Sequence, residues 1–78
     1  MDYQTYEDYA PSHRLDKQPG KGWAPPEVRD AALRHALRGV DIGAYDERII
    51  RWATRLWDDS TMRTLVSLIE RARRAEVS

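Results

Sequence analysis

Cysteine is missing from all 78 residues, so a disulfide, a thiolate metal ligand and a thiol nucleophile are all closed to this chain. Net charge is missing too. Thirteen basic and thirteen acidic residues cancel, leaving no global field to draw the chain onto nucleic acid or anionic lipid. No apolar run approaches the length of a secretion signal or a membrane span, and Met1-Asp2-Tyr3-Gln4 is polar and acidic. The expectation is a cytoplasmic protein that does not enter a membrane. Repeats, heptad arrays and alternating strand patterns are absent as well. A chain this short allows one domain, and a single core of this size rarely supplies more than about 3–5 kcal/mol without a staple. Dimerisation, or packing onto a larger partner, is one way to bury more surface.

What is present is helical periodicity, densest from Asp46 to Ala75. Tyr45, Ile49, Trp52, Ala53 and Leu56 recur in steps of three and four, with Ile50 and Trp57 widening the stripe. This stripe is expected to face a core, with Trp52 and Trp57 as core and core edge. Glu47, Arg48, Arg51 and Arg55 take the polar side, and Glu47–Arg51 has the favourable spacing for a helical ion pair, about 0.2–0.5 kcal/mol. Met62, Leu65, Val66, Ile69 and Ala72 form a second stripe, with Glu70–Arg74 as its pair. Asp58-Asp59-Ser60-Thr61 between the two runs competes well for a helix start. The two runs therefore read as a tight helical hairpin.

Upstream, Trp23-Ala24-Pro25-Pro26-Glu27 reads as another helix start, because the amide that proline lacks is unpaired in a first turn anyway. Trp23 is placed to fold over that turn. The helix is expected over 26–38, with Val28, Ala32, Leu33, Ala36 and Leu37 on one side, an Asp30–Arg34 pair, and Gly39 in the left-handed position that ends it. Val40 and Ile42 are expected to plug the end of the bundle, and Asp41 to cap the next helix. The fold class expected is all-α: a three-helix bundle over 23–78 behind a disordered tail and linker over 1–22. That tail contains Pro11, Pro19, Gly20 and Gly22 and shows no stripe that buries anything. Pro19-Gly20-Lys21-Gly22 lacks the spacing of a phosphate-binding loop and reads as linker.

Chemistry is nearly blank. His13 lies in the tail. His35 lies off the apolar line of its helix with no carboxylate or histidine four residues away, so neither a metal nor a cofactor is indicated, and the chain is not expected to be an enzyme. Two binding readings remain. Tyr3, Tyr6 and Tyr9, spaced by three, with Trp23 and Trp57, exceed what a small core needs and suit anchoring to a protein partner, a homodimer included. Alternatively, short helices ending in a tightly joined pair match the helix-turn-helix layout, with Ser60, Arg63, Thr64, Ser67 and Arg71 of the last helix (60–75) facing DNA. Asp58 and Asp59 beside the phosphates and the neutral overall charge weigh against DNA.

At residues 42–74 a Gly-Ala-Tyr-Asp-Glu-Arg-Ile stretch, the Trp52/Trp57 pair, Trp-Asp-Asp-Ser-Thr and Ile-Glu-Arg-Ala-Arg resemble small uncharacterised proteins of actinobacteria and their phages. The resemblance covers under half the chain. It implies a high-GC origin, in keeping with eleven arginines to two lysines, and carries over no activity and no site residue.

Overall fold

A computed structural model describes residues 5–19 and 23–77. These hold four helices and no strand: α1 (Tyr6–Tyr9), α2 (Pro26–Ala36), α3 (Ala44–Leu56) and α4 (Asp59–Val77). α2 begins where its proline pair predicts. Pro25 is the extended N-cap residue, its carbonyl accepts from the amides of Val28 and Arg29, and Pro26 occupies the first turn. The helix ends within three residues of Gly39, which takes φ +85°, the left-handed backbone that side chains with a Cβ rarely adopt. α3 starts behind Gly43, whose amide donates to the Asp46 carboxylate at 3.0 Å, so Asp46 takes the capping role expected of Asp41. At the start of α4 the Asp58 carboxylate accepts from the hydroxyls of Ser60 and Thr61, and these bonds hold its pKa below the usual value.

α2 is the element on which the others are assembled, packing against both α3 and α4. The expected close hairpin of the last two helices is thereby replaced by an arrangement in which each uses α2 as its bed. The reason lies in side-chain size. Ala32 and Ala36 of α2 and Ala53 of α3 are buried, and such small residues let helix axes approach. Leu33, Ile50, Met62 and Val66 fill the remaining space, and Met62 and Val66 are fully enclosed.

Tyr9 and Ala10 belong to the same core, at 2% and 3% exposure. The sequence suggested a structureless lead-in over 1–22; its described part instead forms a helical turn and lies along α4. The physical cause is hydrogen bonding to its backbone. Arg63 donates to the carbonyls of Tyr9 (2.7 Å) and Asp8 (2.9 Å), and the Ser67 hydroxyl donates to that of Pro11. Thr5 starts the turn by accepting from the Asp8 amide.

Arginine also closes helix ends from neighbouring elements. Arg29, buried on α2, donates at 2.7 Å to the carbonyl of Trp57 just past α3, and Arg73 of α4 donates at 2.8 Å to the carbonyl of Arg38 beyond α2. Each cation meets the negative end of a helix dipole. Between α2 and α3, Arg34 bridges Asp30 and Glu47 and holds the Glu47 carboxyl below its ordinary pKa. Glu70 does not pair with Arg74 as expected. Its buried carboxylate takes Arg38 of the chain after α2, at 2.7 Å, and that bond lowers its pKa. Tyr6 lies in the same cluster, edge-on to His35 at 4.6 Å between ring centroids; burial first, and the nearby Glu70 charge second, push its hydroxyl pKa upward.

Candidate partner-docking surface

The side of α3 that faces away from α2 carries four large apolar residues. Tyr45, Ile49, Trp52 and Leu56 are 68%, 41%, 48% and 67% exposed. At roughly 100° per residue they fall within about 60° of arc, a narrow seam along the whole helix. The residues α3 does bury, Ile50, Ala53 and Thr54, centre roughly 120° away around the same helix. The stripe expected to be core is therefore mostly the outer surface. α3 carries two apolar arcs, and the one with the smaller side chains is the one that fits the alanine-rich α2.

The seam has structure of its own. Trp52 meets Trp57 edge to face, with centroids 5.7 Å apart and planes at 79°, which restrains the exposed indole from below. Arg48, Arg51 and Arg55 line one flank, all exposed. Arg51 reaches Glu47 at 3.9 Å. Among the described residues no carboxylate pairs with Arg48 or Arg55. Together with Trp52 and Leu56 these arginines border a shallow groove of about 490 Å³. It adjoins a second groove of about 610 Å³ between α2 and α3 that shares Arg51 and Arg55. The arrangement can hold an elongated apolar ridge and orient it by charge on one side.

The residues singled out from sequence fall elsewhere. Tyr3 lies outside the described residues. Tyr6 is half-buried against His35, and Tyr9 is buried with the Arg63 guanidinium 6.0 Å from its ring centre, so these two dock back on their own domain. Trp23 is 60% exposed in the approach to α2 and does not fold over the first turn; Ala24 is the residue buried there. Trp57 is half-buried beneath Trp52. Val40 is exposed, leaving Ile42 as the residue of that connection packed on the core.

Of the α4 residues assigned to DNA in the alternative reading, Ser60, Arg63 and Ser67 are engaged by the N-terminal segment, while Thr64 and Arg71 bond within α4. Arg63 is 6% exposed and Ser67 fully buried, both bonded to backbone carbonyls of residues 8–11. Ser60 accepts from Gln18, Thr64 is half-buried, and Arg71 donates to the Ser67 hydroxyl. Sequence reasoning passed over Tyr45, Ile49 and Leu56 as surface residues. The available signal was their 4-3-4 spacing with arginine at two flanking positions, the pattern of a helix that meets another helix.

Among the described residues, no group of three histidine or acidic side chains is placed to hold a metal ion, and no helix is long and apolar enough to cross a membrane. Comparison with family models, with curated proteins and with solved structures returns no match.

Proposed function

We propose that this chain is a non-catalytic interaction module that binds a protein partner through the outer face of α3. One observation carries the reading: four large apolar side chains in a continuous line lie exposed on a helix that is already packed against its own core through a different face. Isolated exposed hydrophobics are common on any surface, whereas an apolar line rimmed by polar groups marks an interaction site. An aromatic at its centre, propped by a second aromatic, has the character of an interface anchor. In this reading α2 and α4 form the support, residues 5–19 strap α4, and α3 presents the contact surface. Of the residues named from sequence, Trp57 contributes by propping Trp52. DNA recognition through Ser60, Arg63, Thr64, Ser67 and Arg71 would first require residues 8–18 to leave α4.

The test places a photo-crosslinking phenylalanine analogue at position 52 and, in a separate protein, at Leu68, an exposed apolar position on α4. The chain's lack of native cysteine also permits labelling through one introduced thiol. In host extract, position 52 should give a discrete adduct that disappears when Leu56→Glu is added, and position 68 should not. Equal adducts from both positions, or none from position 52, overturn the proposal.

A further inference from the structure

The flank of the seam narrows the chemistry of its occupant. Resting on the docking surface just described, we infer that α3 receives an acidic amphipathic helix, which lays an apolar ridge along Tyr45, Ile49, Trp52 and Leu56 and sets carboxylates against Arg48 and Arg55.

The seam selects a helix. Positions 45, 49, 52 and 56 follow the 4-3-4 rhythm of two successive turns, the spacing at which side chains of one helix enter the holes of another. Its arc of about 60° is narrower than the apolar face of roughly 100° or more by which helices bury themselves against broad surfaces. An anionic bilayer rewards such breadth, because interfacial binding scales with the apolar area immersed. A ridge matched in width by one facing helix fits this seam better.

The charges select the sign. In the seam's register, Arg48 and Arg55 hold equivalent flanking positions one heptad apart, where interhelical ion pairs set partner choice and orientation. Both are exposed, and among the described residues neither has a carboxylate partner. A second copy of α3 does not supply one. An antiparallel copy sets arginine flank against arginine flank. A parallel copy sets it against the side bearing Asp46, whose carboxylate is already held by the Gly43 amide at the start of α3, and Ala53, which is buried in its own core. The occupant is therefore a different helix with Glu or Asp along the flank it turns toward Arg48 and Arg55. Rim charges of this kind act mainly on orientation and association rate, and their effect is screened by salt.

The probes are two three-heptad peptides with identical Leu/Ile seams, one carrying Glu and the other Lys at both flanking positions. Each is fluorescently labelled and titrated against the full chain by anisotropy at about 50 and about 200 mM salt. The Glu peptide should bind about tenfold or more tightly than the Lys peptide at low salt, with the margin shrinking at high salt. Arg48→Glu/Arg55→Glu should reverse the preference, and circular dichroism checks that the variant keeps its helicity. Equal binding of the two peptides, or preference for phosphatidylserine vesicles or duplex DNA over the Glu peptide, overturns the inference. Concentration-dependent self-association in sedimentation that Leu56→Glu abolishes overturns it in favour of a second copy. Failure here with the position-52 adduct intact removes only the acidic helix; loss of that adduct removes the docking surface itself.

Discussion

Replacing Tyr9 with Ala tests whether the N-terminal segment is part of the folding unit. The ring is 2% exposed and packs where α4 and the segment meet. Core truncations of a large aromatic cost about 3–5 kcal/mol when the surroundings cannot relax. Here they can. Once the ring is gone, the segment can peel from α4 without unfolding the other helices, so the loss is bounded by the free energy that docks the segment. Peeling returns Arg63 and Ser67 to water rather than leaving them orphaned, so their three bonds to backbone carbonyls forfeit about 1 kcal/mol each at most. The expected loss is about 2–4 kcal/mol, most of the roughly 3–5 kcal/mol that a single core of this size supplies. At about 4–8 °C per kcal/mol, the Tm should fall by roughly 8–32 °C. Urea unfolding followed by far-ultraviolet circular dichroism gives the free energy, and hydrogen exchange should show the α4 amides near Arg63 and Ser67 losing protection first. A change below about 0.5 kcal/mol, the range of ordinary surface substitutions, would refute the idea that residues 5–19 are integral to the fold.

Other outcomes follow from the same geometry. Trp52→Ala should cost at most about 1.5 kcal/mol, the worth of its edge contact with Trp57, whereas Met62→Ala should cost about 2–5 kcal/mol; the reverse order in denaturant melts would place the seam in the core. Glu70 has its pKa lowered by Arg38, so its contribution is complete above the unfolded value near 4.5 and is lost as pH falls through the depressed folded value. Glu70→Gln should therefore flatten part of the stability loss below about pH 4.5 and cost about 1–3 kcal/mol at neutral pH; parallel pH profiles for the two proteins would sink this assignment. Gly39→Ala should destabilise by about 1–2 kcal/mol through backbone strain, since nothing lies within 4 Å of the added Cβ; an unchanged urea midpoint would contradict the positive φ.

The helices themselves were legible because their punctuation is local: Pro25-Pro26 at one end of α2, Gly39 past the other, and Asp58 to Thr61 at the head of α4. The inward side of α3 was not. Periodicity shows which residues share a side but does not rank two sides against each other, and Tyr45, Ile49, Trp52 and Leu56 outweigh Ile50 and Ala53 in apolar bulk. What decides is the shape of α2, whose alanines accept the thinner arc. The strap was hidden for a different reason. Arg63 and Ser67 hold it by main-chain carbonyls, which every residue has, so no pattern of side chains announces the contact. Glu70 shows the same limit, since Arg74 is its neighbour along the helix while Arg38 reaches it only after folding.

The strap also orders events in time. Its bonds to Arg63 and Ser67 join residues 54 to 56 positions apart. On the ribosome, Asp8, Tyr9 and Pro11 emerge long before the helix that will hold them, at roughly 5–20 residues per second. For several seconds Tyr9 has no surface to cover, and α2 and α3 are complete before it finds one. Tyr9, synthesised well before α4, is thus secured only after α4 follows it, and until then the nascent chain carries an aromatic side chain that a chaperone can hold.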